Sequence, residues 1–161
     1  EDVFYVYDCY RMSKASPSVH AQAIRGRPHF IPIAYPHDGN RRDSMGNPGL
    51  ADQYRNLGCN MLLGHFTNPP ALGQKTGSSS IEEGLMAMLQ KMEADKFKVF
   101  STLGDWFEEF RMYHRKEGKV VPLRDDIMSA TRYAFQSQRF AIAGEDPTWT
   151  NEVEYRNYGI I

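Results

Sequence analysis

The chain has 161 residues, 41% of them hydrophobic and 24% charged, and a net charge of -1. Those are ordinary globular values, and about 150 residues suffice for one domain that buries roughly 68–70% of its unfolded surface. No apolar run is long enough to span a bilayer and no signal-peptide pattern is present, so no membrane partner is expected. Cys9 and Cys59 lie far apart without a CxxC or Cys/His spacing, which speaks against zinc and a disulfide framework and fits a reducing cytoplasm. Near-neutral charge does not exclude nucleic acid, because an acidic metal site can cancel basic residues that contact phosphate. The sequence opens on Glu1-Asp2 without an initiator Met, so a piece of a longer protein is expected.

Val3–Arg11 is rich in Val, Phe and Tyr and reads as a strand. Asp8 at its end is a weak site candidate and more simply a strand-end polar residue. Ser16-Pro17 starts a helix, with Ser at the N-cap and Pro at the first position; Val19, Ala23 and Ile24 form its inner face and Gly26 its end. Phe30–Tyr35 is a short apolar run stopped by Pro36, which predicts a buried strand. His37, Asp38 and Gly39 follow its carboxyl end, where ligands and catalytic groups gather in α/β sheets; a plain turn is the alternative. The loop after it carries Arg41, Arg42 and Asp43. The adjacent arginines suit a phosphate backbone, with a solvated loop as the competing reading.

Asn47-Pro48 opens a second helix with Leu50, Tyr54 and Leu57 on its face and Gly58 past its end. Asn60–Leu63 reads as a short strand. Residues 64–80 form a long loop without apolar period, of the kind that is often functional, and its Lys75 beside Ser and Thr residues suits phosphate. It lacks the Gly-Lys-Ser/Thr ending of an ATP-binding loop. Ser80-Ile-Glu-Glu83 is a capping box that starts a helix with Ile81, Leu85, Met88, Leu89 and Met92 as core stripe. Phe97–Phe100 is a strand. In the next helix Leu103, Trp106, Phe107 and Phe110 are expected inside and Asp105, Glu108 and Glu109 in water. A turn around Gly118 leads to a small hairpin arm at Val120-Val121.

Arg124–Ala134 is a helix opened by two acids, which the macrodipole favours by itself. Helical phase separates them. Asp126 shares a line with Ala130 and Ala134, read as the inward face; Asp125 shares one with Ser129, Arg132 and Gln136, read as a solvent face. An inward carboxylate is costly unless a cation meets it. Asp126 is therefore the favoured metal ligand and Asp125 the candidate cap. Residues 144–161 read as a C-terminal tail.

The ordered set Tyr-Pro-His-Asp-Gly, Leu-Ala-Asp-Gln-Tyr-Arg, Gly-Ser-Ser-Ser-Ile-Glu-Glu-Gly, Phe-Lys-Val-Phe-Ser, Asp-Trp-Phe-Glu-Glu-Phe-Arg-Met-Tyr-His-Arg and Arg-Asp-Asp-Ile-Met-Ser-Ala-Thr-Arg-Tyr-Ala resembles the C-terminal nuclease domain of tailed-bacteriophage large terminase subunits of the headful-packaging type. The resemblance implies an α/β, ribonuclease-H-like mixed sheet flanked by helices over residues 1–143, without the family's opening strand. It implies an endonuclease that cuts concatemeric double-stranded DNA with two Mg²⁺ or Mn²⁺ ions. The second family acid falls on Asp38 and the third on Asp125-Asp126; the first would precede Glu1. In that setting Arg41, Arg42 and Lys75 are the candidate DNA contacts, and His37 is either a supporting residue that orients Asp38 or touches phosphate, or a satisfied structural histidine. Implied partners are DNA, the portal protein, the small terminase subunit and an ATPase domain of the same parent chain. The implied location is the cytoplasm of the infected host, transiently at the procapsid portal. A non-catalytic DNA-gripping or portal-docking module, and a junction-resolving nuclease of the same fold, are the alternatives.

Overall fold

A computed structural model of the chain describes residues 2–141 apart from 43 and 122; the predicted tail lies outside the described residues. The architecture is α/β, with short strands laid against helices. β1 (Phe4–Val6) pairs in parallel with β2 (Phe97–Val99), Phe4 opposite Phe97 and Val6 opposite Val99. The predicted strand 3–11 is thus real but shorter. Phe4 and Val6 turn inward, whereas Tyr5 and Tyr7 are 56% and 62% exposed, as period-two alternation requires.

α1 (Pro17–Arg25) begins with Pro at its first turn, where the missing N–H costs nothing, and ends at Gly26. The run 30–35 is extended, but it makes only a bridge. Ile33 N–H donates to the Asn60 carbonyl at 2.8 Å, Leu62 N–H to the Ile33 carbonyl at 2.9 Å, and Ile33 faces Met61 in parallel. The two predicted strands at 30–35 and 60–63 are therefore one residue pair wide, because Pro32 and Pro36 leave few N–H donors for a longer ladder. A 3-10 turn (His37–Asn40) follows. α2 (Leu50–Asn56) starts later than Asn47-Pro48 and is capped by Gly49. Gly58, at φ +82°, then takes the left-handed position past its end.

α3 (Ile81–Glu93) carries the predicted cap: Ser80 Oγ accepts from Glu83 N–H at 3.3 Å. The Glu83 carboxylate turns instead to Ser78 and Asn68, tying the long loop to the helix. Of the expected stripe, Met88 is buried and Met92 packs on the core, while Ile81 and Leu89 are each 46% exposed. α4 (Gly104–Met112) leads into an antiparallel hairpin, β3 (Arg115–Lys116) and β4 (Lys119–Val120), turned by Glu117 and Gly118 at positive φ. α5 (Asp126–Gln136) runs on into a 3-10 turn at Gln138–Phe140.

The principal core joins Met88, Phe97, Trp106, Ile127, Met128 and Phe135, so α3, α4 and α5 close on β1 and β2. Trp106 is 2% exposed, stacks on Phe110 and donates from Nε1 to Thr131 Oγ1 at 3.0 Å. Three expectations for this region are reversed. Phe110 is 44% exposed rather than inside. Glu109 is 0% exposed rather than in water. On α5, Arg132 and Gln136 are buried, while Ala130 and Ala134 are open. The reason is where partners stand. Helices α3 and α4 pack on the Arg132 side, and Gly84 leaves room for that long side chain, since a Cβ there would lie 2.8 Å from Arg132 Cδ. No helix among the described residues is long and apolar enough to cross a membrane.

Candidate metal centre

Two adjoining cavities, about 690 and 1000 Å³, make one trough between β1 and residues 31–35. Phe4, Tyr7, Ile31, Ile33, Asp126, Ala130 and Ala134 line both. The alanine face of α5 is its floor. The larger cavity holds His37 and Asp38 on one wall and Asp126 and Ser129 on the other. Two acids 88 positions apart thus line the same cleft.

Asp38 stands in the 3-10 turn, whose backbone closes through Gly39 N–H to Pro36 and Arg41 N–H to Asp38. Glycines shape this wall. A Cβ on Gly39 would lie 2.8 Å from the Tyr35 ring, and one on Gly49 would lie 2.6 Å from the Gly39 carbonyl oxygen. The start of α2 therefore packs directly on the turn. Tyr35 is held in turn by Arg55, whose Nη2 donates to its hydroxyl at 3.0 Å, and by Phe66 N–H to its carbonyl at 2.7 Å.

Asp126 is the first residue of α5. It is exposed to the cleft rather than buried. Asp125 occupies the N-cap position, yet its side chain does not cap; its Oδ2 accepts from Ser129 Oγ at 3.4 Å. The cap comes from α4: Glu109 Oε1 accepts from Met128 N–H at 2.7 Å. Burial pushes the nearby Tyr113 phenol up, and the charge of Asp125 adds to that.

Arg41 and Arg42 are exposed just past the Asp38 turn. Lys75 is exposed in the 64–80 loop, apart from the lining of either cavity. Asp8 lines the smaller cavity of the trough, where it is paired with Arg27, accepting from its Nε at 2.5 Å. Both cysteines are free.

The carboxylates of Asp38 and Asp126 have no ion pair among the described residues. Two uncompensated hard oxygen donors on one cleft fit a divalent cation such as Mg²⁺ or Mn²⁺. Among the described residues no group of three or more His, Cys, Asp or Glu converges to hold a metal.

The profile of the Terminase RNaseH-like domain matches residues 1–138. The chain belongs to this family. It is 38% identical over 141 residues to the terminase large subunit of Salmonella phage P22, covering 87% of this chain and 27% of that protein. It is 38% identical over 135 residues to the terminase large subunit of Enterobacteria phage LP7, covering 83% and 27%. The solved P22 large terminase nuclease domain superposes with a TM-score of 0.75 at 38% identity, over 87% of this chain and 70% of that one. The chain spans about a quarter of the length of the curated relatives it matches. The ribonuclease-H-like fold expected from the motifs is therefore the fold of this chain.

Sequence reasoning missed Glu109 and the glycine pair Gly39/Gly49. Glu109 lies three residues after Trp106, on its helical line, and that spacing was the available signal. The meeting of Gly39 and Gly49 has no local signature, since it depends on how α2 folds back.

Proposed function

We propose that this domain cuts double-stranded DNA in a divalent-metal-dependent way as the nuclease part of a phage packaging terminase. Asp38 and Asp126 serve as metal ligands, with Asp125 in a flanking place. The observation that carries the reading is the shared cleft: both acids line it and neither has a cation partner among the described residues. Bound Mg²⁺ or Mn²⁺ would supply an activated water and stabilise the leaving oxygen of a phosphodiester. His37, on the same wall, orients Asp38 or meets phosphate. Arg41 and Arg42, exposed beside the turn, hold the backbone of incoming DNA; Lys75 extends that contact from the long loop. Contacts of this kind position the duplex without reading its sequence. Headful cutting of concatemers, with the portal, small subunit and ATPase domain as partners, is the setting this implies in the host cytoplasm.

The test is plasmid nicking by the full-length protein in Mg²⁺ or Mn²⁺. Asp38→Ala and Asp126→Ala are each expected to abolish nicking while circular dichroism and melting stay close to those of the parent. Nicking that persists in both would refute the assignment. A non-catalytic DNA-gripping module is the second reading, favoured by the absence of a three-ligand group among the described residues. It predicts DNA binding without metal-dependent nicking in the unaltered protein.

A further inference from the structure

We infer that Glu109 is a positioning residue, one that sets the place of Asp126 in the cleft through the backbone of α5. The inference rests on the reading that Asp126 binds a divalent cation. Glu109 lies on α4 and is completely buried. Its two oxygens have separate tasks: Oε1 accepts from Met128 N–H at 2.7 Å, and Oε2 accepts from Arg11 Nη1 at 3.2 Å.

Met128 is the third residue of α5, two past Asp126. Its N–H is one of the amides that a helix leaves without an internal partner. The residue in the N-cap position, Asp125, leaves this task undone, since its side chain makes no capping bond. The start of α5 is therefore fixed from outside, by a carboxylate whose negative charge also suits the positive end of the helix. Arg11, which lines the cleft, holds the second oxygen and keeps the carboxylate aimed. A rotation of the first turn of α5 would carry Asp126 with it. Trp106, one turn earlier on α4, adds a second tie through Thr131, whose hydroxyl donates in turn to the Ile127 carbonyl at 2.7 Å.

Reach and charge are separable at this position. Glu109→Gln keeps an oxygen at the right length for Met128 N–H, but its amide nitrogen replaces the acceptor for Arg11 and the charge is lost. Glu109→Asp keeps the charge and loses the reach. The experiment measures Mn²⁺ binding to the full-length protein by electron paramagnetic resonance, alongside the Mn²⁺ concentration that gives half-maximal plasmid nicking. If Glu109 positions Asp126, Glu109→Asp weakens Mn²⁺ binding by about 10-fold, the low end of what losing a supporting group costs a metal site. Glu109→Gln stays closer to the parent, the half-maximal Mn²⁺ concentration moves in parallel, and excess Mn²⁺ restores most of the rate.

Unchanged Mn²⁺ binding in Glu109→Asp, or a larger loss in Gln than in Asp, overturns the inference. Should Glu109→Asp fail to fold, Glu109→Met, which removes both acceptors at similar length, takes its place. Weaker Mn²⁺ binding in Glu109→Met than in Glu109→Gln supports positioning; equal binding in the two overturns it. Asp126→Ala run in parallel separates the two levels. If it still binds and cuts, the metal reading itself has failed; if it loses both while the Glu109 variants do not, only the positioning role falls.

Discussion

The two walls of the cleft are built by different means. Asp126 stands on a helix whose far side is sunk in the principal core, among Trp106, Met128 and Phe135. Asp38 stands on a four-residue 3-10 turn, held by two glycines and a single bridged residue pair. One wall gets its position from buried apolar area, the other from backbone fit. The first should lose its place when the core or its Glu109 cap is damaged, the second when a single methyl group is added.

Damage to the core should be the largest effect. Trp106→Ala removes a fully buried ring and is expected to destabilise the domain by about 3–5 kcal/mol, read as a lower urea midpoint. A shift of less than 1 kcal/mol would mean that the core does not hold the Asp126 wall. Gly49→Ala should cost less stability, about 1–3 kcal/mol as an overpacking change. It should cut nicking disproportionately, roughly 100-fold, as an ångström of misplacement can. Parental nicking in Gly49→Ala would break the contrast between the walls. Thr131→Val deletes the acceptor for Trp106 Nε1 and should cost about 1–3 kcal/mol, because a buried donor is left unpaired; urea unfolding of Trp106→Phe with and without Thr131→Val tests the coupling. Arg41→Ala with Arg42→Ala should leave stability unchanged and lower the slope of log affinity against log salt by about 2, measured by DNA binding across a salt series. An unchanged slope would place DNA elsewhere.

The sequence showed local features well and long-range features poorly, for a physical reason. The Ser80–Glu83 cap, the Pro17 helix start and the Glu117-Gly118 turn are settled by neighbouring residues, and all three stand in the structure. The family motifs carried the fold class. The orientation of α5 was misread because its small residues looked like a packing face. In the described structure they face the trough, while Gly84 makes a place for Arg132 on the other side. Glu109 was misread because its type suggested solvent, and only the arrival of α5 gives a buried carboxylate its partners. Asp38 and Asp126 were singled out from the sequence, and the structure brings both to one cleft.

Anomalous diffraction from crystals of the full-length protein soaked in Mn²⁺ tests the metal assignment most directly. The account predicts manganese peaks in the cleft within about 2.0–2.3 Å of carboxylate oxygens of both Asp38 and Asp126. Manganese bound only at other acids, with Asp38 and Asp126 left bare, would contradict it.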